Sequence, residues 1–374
     1  SLPPFANSSM DGYALQANDL VGASSQTPVS LRVVGDIAAG AVPDLSVEPG
    51  TAVRIMTGAP LPSGADAVVP VEDTNEAWRN RERPLPEQIQ VTRTVKSGDY
   101  IRHPGEDIEA GQTILEQGHL LRPQEVGVLA SLGVSQISVI QRPRVAILAT
   151  GDELLEVDQP LQPGKIRNSN GYTQAAQIMA LGAEPVDLGI AGDTETAVRQ
   201  KLRAGLDANV DLFISSAGVS VGAYDVVKAV LEQEGNVGFW RVRMRPGKPL
   251  AYGTYHGIPY LGLPGNPVSA MVSFERFARA AIRKMAGYTQ LARPTIPVTL
   301  QNEIHSDGRE SYIRAVVVRG ENGYRAATTG DQGSHIMTSL VKANALLIVP
   351  EGVTYVAQES ELTAWMLDWP ETVF

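Results

Sequence analysis

Cysteine is absent from the 374-residue chain, which removes disulfides and thiolate metal sites together. Histidine is scarce. His103, His119, His256, His305 and His335 are scattered and form no H-E-x-x-H pair, so a dedicated zinc site lacks its ligands. No run of about eighteen apolar residues exists to cross a bilayer, and a cytoplasmic protein with no membrane partner is expected. Positive charge is in deficit as well. A formal charge of −10 argues against nucleic acid as a bulk partner, because sequence-independent binding needs a positive field over the surface. Neither a Walker A sequence nor a G-x-G-x-x-G fingerprint occurs, which speaks against a P-loop kinase or a standard dehydrogenase. Internal repeats and low-complexity linkers are missing too.

What remains is a 43% hydrophobic, 19% charged chain, the composition of an ordinary globular protein long enough for two to four domains. Its texture changes along the sequence. Between about 26 and 102, short runs such as "VSLRVVGDI", "TAVRIMTG" and "DAVVPVED" separated by Gly and Pro predict a small β module. It is expected as an insertion in an N-terminal module built from 1–25 and 103–142, where "LRPQEVGVLASLGV" has helical spacing. From 143 to 287, apolar strands alternate with helices, "RVAILAT" to "NGYTQAAQIMALG" to "EPVDLGIA" and onward. That alternation predicts a three-layer α/β domain around a parallel sheet. Residues 288–374, with "TIPVTL", "SYIRAVVVRG", "YRAATT" and "NALLIVP", predict a small β-barrel-like domain.

In a parallel sheet, ligands sit at the carboxyl ends of the strands. Polar residues follow three of the apolar runs at once: Asp152 and Glu153 after "RVAILAT", Asp193 after "VDLGIA", and Ser216, Ser220 and Asp225 in the loop after "LFIS". Taken singly, Asp193 or Ser169 reads better as a helix N-cap than as a site residue. Together they converge on one rim.

A second set suits anions. "NSNGYTQ" and "LPGNPVSA" each open a helix whose free N–H groups favour negative charge, with Asn266 as a cap and Pro267 at the first helical position. "RVRMRPGKP" is expected to carry Arg241, Arg243 and Arg245 on one face of a strand and to turn through Gly247 to present Lys248. The plainer reading of that row is a solvated edge strand. Carboxylates beside a polyanionic ligand repel it unless a cation lies between them, so the rim predicts a divalent ion of the Mg²⁺ kind. Near the start, "NSSMDGYAL" reads as a turn at Asp11-Gly12, because Gly accepts positive φ.

The motifs "LPPFANSSMDGYAL", "VRIMTGAPLPSGADAVVPVED", "HPGEDI", "TGDEL", "KIRNSN", "AGVSVGAYD", "RMRPGKP" and "LPGNPVSA" occur in this order. The chain thereby resembles the molybdopterin molybdenumtransferases, the MoeA-type family to which the gephyrin C-terminal domain is related, from residue 2 to its end. The resemblance implies an elongated homodimer with a composite active site and an α/β domain of the molybdopterin-binding type. It also implies insertion of molybdate into adenylylated molybdopterin with release of AMP, assisted by a divalent cation such as Mg²⁺. Contact with an adenylyltransferase and with acceptor molybdoenzymes is a further implication. By motif position the catalytic set is Asp11, Thr57, Asp107, Glu153, Asp193 and Asp225, with Glu153, Asp193 and Asp225 as metal ligands. The implied substrate-binding set is Ser169, Asn170, Ser216, Gly218, Ser220, Arg245, Lys248, Pro249 and Asn266. Two departures from the family pattern are Ala217, where glycine is usual, and Ala223, where an acidic or polar residue is common. A methyl at Ala217 tightens the loop if its backbone needs positive φ. Alternative readings are a stand-alone molybdopterin adenylyltransferase and a gephyrin-like scaffold that binds a peptide.

Overall fold

The computed structural model describes residues 1–76, 84–216 and 226–369. The chain divides into two compact units, Ser1–Ile137 and Ser138–Phe374.

Unit 1 is built on a five-stranded sheet in the order Ala67–Pro70, Gly12–Leu15, Thr51–Ile55, Val29–Ile37, Gln88–Val91. The strand Gly12–Leu15 pairs antiparallel with both neighbours, so this early stretch is second in a sheet whose other strands come from the β-rich region after residue 26. Side chains alternate across a strand. Tyr13 and Leu15 accordingly enter one apolar cluster, with Leu31, Val69 and Ile89, while Ala14 enters another with Ile37, Val53 and Ile55. Both faces are covered. Gly12 is required for a reason other than the expected turn: its φ is not positive, and a Cβ there would lie 2.0 Å from the Val69 carbonyl oxygen. The residue must lack a side chain because a neighbouring backbone occupies the space.

The chain start is knitted into this unit. Leu2 bridges to Ile108, Asn7–Ser8 pairs with Ile101–Arg102, and the Gly58 N–H donates to the Ser8 carbonyl at 2.8 Å. The helix Pro123–Ser131 follows, opened by Pro123 and by the Glu125 carboxylate, which accepts the Arg122 backbone N–H at 2.8 Å. Arg122 also holds the Glu125 carboxyl well below its usual 4.5, at about 2.

Unit 2 carries the six-stranded sheet Glu184–Ala191, Arg144–Thr150, Leu212–Ser216, Ile258–Leu263, Pro249–Tyr255, Gly235–Arg241. The first four strands pair in parallel. The last two add an antiparallel ribbon at one edge of the expected parallel sheet. Its origin is local: His256 and Gly257 both have positive φ, forming a two-residue turn that can join only antiparallel strands. Ala146 and Leu148 pack with Val198, Leu202, Val227 and Leu231 from helices Glu195–Asp207 and Val226–Glu234. On the opposite face Val145 and Ile147 pack with Ile178, Phe274 and Ile282. Those come from helix Ser169–Ala180 and from the long helix after Pro267, which widens into a π turn at Phe274–Ala278 before continuing as Arg279–Met285.

The C-terminal part of unit 2 is a closed five-stranded barrel. Thr295–Leu300, Glu310–Gly320, Gly323–Thr328, Ala345–Val349 and Glu361–Met366 form it, and closure comes from pairing of Glu310–Gly320 with Ala345–Val349. Closure removes the edges that would otherwise template association. Met244–Arg245 joins alongside, in parallel with Glu310–Ser311. The expected arginine row is thereby broken: the strand ends at Arg241, and Arg245 belongs to the barrel's sheet. Arg243 pairs with Glu351 and Arg245 with Asp307.

Candidate active site

The carboxyl edge of the parallel strands and the barrel of unit 2 border one cavity of about 700 Å³. Of the residues singled out in the sequence, Glu153, Ser169, Asn170, Ser216, Arg245, Lys248, Pro249 and Asn266 line it. Among the described residues its charged lining is Arg167, Arg245, Lys248 and Arg309 with the carboxylate of Glu153, and Asp307 behind the wall pairs with both Arg245 and Arg309. In a chain of net charge −10, a lining with four basic side chains is a local concentration of positive charge.

Each wall follows from local structure. Helix Ser169–Ala180 begins at the cavity, but its cap is Asn168, whose side chain accepts the Gly171 N–H at 3.0 Å. The next helix along the edge is capped by Thr194, which accepts the Ala197 N–H at 3.2 Å. The capping reading of Ser169 and Asp193 is therefore displaced by one residue in each case, and both side chains are released from that duty. Asn266 does occupy the cap position before Pro267, yet its amide donates to the Ser334 hydroxyl at 3.1 Å instead of capping. The Asn170 amide donates to the Gly265 carbonyl at 2.7 Å, which ties the two helix starts together. Two helix N-termini at one cavity favour negative charge.

Gly247, at φ +105°, makes the turn that presents Lys248, and a Cβ there would lie 2.4 Å from the Ser273 hydroxyl. Glu153 is held differently. Gly151 has φ +140°, and a Cβ on it would fall 2.3 Å from one Glu153 carboxylate oxygen, so the acidic side chain folds back over the glycine.

The barrel wall was not foreseen. Arg309 lines the cavity and donates to Asp307 at 2.5 Å and to the Met244 carbonyl at 3.1 Å. Its hydrogen bonds hold the Asp307 carboxyl below the usual 3.8, at about 2, with Arg245 adding a smaller effect. Gln332, Gly333 and Ser334 form the adjoining wall, and Arg314 fixes them from beneath: its guanidinium donates to the Gly333 carbonyl at 3.1 Å and to the Ser339 hydroxyl at 3.0 Å. Arg314 is only 1% exposed, and burial lowers its pKa to about 10. A charged residue inside the apolar run "SYIRAVVV" was the available signal.

The acidic candidates divide between the units. Asp11 and Thr57 come together in unit 1, where the Thr57 N–H and hydroxyl both donate to Asp11 Oδ1, at 2.7 and 2.8 Å. Asp107 is exposed; its N–H donates to the Leu2 carbonyl, and it shares no hydrogen bond with that pair. Asp193, exposed in unit 2, accepts the Asp152 N–H at 3.2 Å. Gly218, Ser220 and Asp225, with Ala217 and Ala223, lie outside the described residues. Among the described residues no group of three or more His, Asp and Glu side chains forms a metal cage. None of their helices is long and apolar enough to cross a membrane.

Comparison with known proteins places this geometry. Residues 1–133 match the family description "MoeA N-terminal region (domain I and II)", residues 146–284 "Probable molybdopterin binding domain", and residues 297–365 "MoeA C-terminal region (domain IV)". A molybdopterin molybdenumtransferase of Nostoc sp. is 40% identical, covering 98% of this chain and 83% of its own length. Molybdopterin molybdenumtransferase 2 of Mycobacterium tuberculosis is 40% identical over 98% of this chain and 90% of its own. The crystal structure of a molybdopterin biosynthesis MoeA protein from Pyrococcus horikosii superposes with a TM-score of 0.80 at 28% identity, covering 99% of this chain and 89% of that one. The correspondence runs through the flanking regions that a stand-alone adenylyltransferase would lack.

Proposed function

Because the chain belongs to the molybdopterin molybdenumtransferase family, enzymes that insert molybdenum in molybdenum cofactor biosynthesis, we propose that the unit 2 cavity is where adenylylated molybdopterin and molybdate meet. The observation that carries this reading is the basic lining among the described residues, Arg167 and Lys248 together with Arg245 and Arg309, which share Asp307, placed at two helix N-termini. Lys248 and Arg245 hold the phosphate and oxyanion groups by charge-assisted hydrogen bonds. Ser169, Asn170, Ser216, Pro249 and Asn266 shape the walls around them. Gly218 and Ser220, by motif position, complete the substrate contacts. Molybdate is substrate here, not a resident metal.

The donor set also fits a divalent cation. Glu153 and Asp193 are exposed carboxylates that follow adjoining strands, and of the two Glu153 lines the cavity. Mg²⁺ takes one or two carboxylates together with substrate phosphate oxygens and needs no all-protein cage. Glu153 and Asp193, with Asp225, would hold it. A cation held there would supply charge neutralisation to the phosphoanhydride. Glu153 is kept in place for this by the space over Gly151.

The proposal extends to a cytoplasmic homodimer whose site is composite, with Asp11, Thr57 and Asp107 as contributors. Leu120, Val126, Val134 and Ile137 are exposed apolar side chains around the helix of unit 1, a surface that association would cover. A mixture of Asp11→Asn and Asp225→Asn subunits that regains activity supports a shared site; a mixture no better than its components contradicts it.

The direct test is single-turnover AMP release. Glu153→Gln and Asp225→Asn are expected to bind the pterin nucleotide and to stop release. Release at the wild-type rate in both removes the cation-holding role.

A further inference from the structure

The strands Arg144–Thr150 and Glu184–Ala191 end their parallel register at Thr150 and Ala191, yet their chains do not part there. The Gly151 N–H still donates to the Ala191 carbonyl at 3.2 Å. One residue further, backbone pairing gives way to a reciprocal clasp. The Asp152 N–H donates to Asp193 Oδ2 at 3.2 Å, and the Asp193 N–H donates to Asp152 Oδ1 at 3.0 Å. Gly192 makes room for it, since a Cβ there would come within 3.1 Å of that same Asp152 oxygen. The Lys165 ammonium donates to the Asp152 carbonyl, so the loop that leads to the cavity is fastened to the clasp as well. Beyond Asp193, the Thr194 cap fixes the chain on the other side.

Each aspartate directs one oxygen to the other's N–H and keeps a second, Asp152 Oδ2 and Asp193 Oδ1, outside the clasp. Asp193 is thus held with one oxygen committed and one presented. We propose that Asp152 is a positioning residue for Asp193: its Oδ1 accepts the Asp193 N–H and thereby sets where the Asp193 carboxylate stands. Asp152 acts as a hydrogen-bond acceptor, not through its charge. This rests on the reading of Asp193 as a cation-holding group.

An asparagine keeps the acceptor oxygen and loses the charge; an alanine loses both. Full-length wild type, Asp152→Asn and Asp152→Ala are compared in two measurements. The first is amide hydrogen exchange at Asp193 without substrate or metal. The second is the Mg²⁺ concentration that gives half-maximal AMP release. The asparagine variant is expected to stay within about threefold of wild type in both, while alanine speeds exchange and raises the Mg²⁺ requirement about 10–100-fold. Wild-type exchange in Asp152→Ala overturns the clasp. Asparagine as damaging as alanine in Mg²⁺ requirement, with the Asp193 amide still protected, overturns the acceptor role in favour of charge. Wild-type turnover indifferent to divalent cation overturns the reading of Asp193 instead, and the exchange measurement separates that failure from the others.

Discussion

In unit 1 the Asp11 carboxylate closes on Thr57, one oxygen receiving both the N–H and the hydroxyl, whereas in unit 2 the Glu153 carboxylate folds over a glycine and faces a cavity lined with cations. Glycine serves both regions, for opposite ends. Gly12 clears space for the Val69 carbonyl inside a sheet, and Gly151 clears space for a side chain at its edge. The first absence of a side chain lets two strands close; the second leaves room for a carboxylate that lines the cavity.

The sharpest way to break this contrast is at the cavity. Lys248→Ala removes a cation from the cavity lining and, with the substrate bound as proposed, should lower kcat/KM for AMP release about 10²–10³-fold, as loss of one preorganised charge-stabilising donor does. A loss under tenfold would mean that Lys248 only decorates the rim. Next comes the glycine pair. Gly12→Ala should cost about 1–3 kcal/mol in denaturant unfolding, because the methyl meets backbone that cannot yield. Gly151→Ala should lower turnover by displacing Glu153 and should also cost stability, because its φ of +140° is one that side chains rarely adopt. If turnover fell with Gly12→Ala and were unchanged in Gly151→Ala, the contrast fails.

A smaller effect is expected at Thr57. Thr57→Val keeps the backbone bond to Asp11 and deletes the hydroxyl bond, and should lower stability by about 1 kcal/mol or less at this exposed position. Smallest is the acid dependence of the barrel wall. Asp307 has its carboxyl held at about 2 against the usual 3.8, so its contribution is present above the unfolded value and is lost as pH falls toward 2. Wild type and Asp307→Asn should differ most in Tm near neutral pH and converge at the acid end. The side chain is 39% exposed, so solvent screening keeps the difference small.

Periodicity was enough to read the strands and helices of the α/β domain, because buried strands such as Arg144–Thr150 are apolar without interruption and their helices carry regular spacing. It failed where partners decide the outcome. The residues "RVRMR" look like one strand, but Met244–Arg245 pairs with Glu310–Ser311, 66 residues later, and no local pattern reports that. The cap positions were off by one for a similar reason: Asn168 and Ser169 are both good caps, and only the backbone geometry chooses between them. Arg309 and Ser334 reach the cavity only because the barrel closes beside the sheet. The motif resemblance supplied Asp11 and Thr57 together, which the fold then joins by two hydrogen bonds.

In the proposed site, cations and carboxylates handle one anionic substrate with a divalent ion between them. Wild-type enzyme mixed with adenylylated molybdopterin and molybdate, in a single turnover with and without Mg²⁺, measures this directly. AMP release that needs both molybdate and Mg²⁺, and that Glu153→Gln abolishes, is the predicted result. Release at the same rate in Glu153→Gln, or at the same rate without divalent cation, contradicts it.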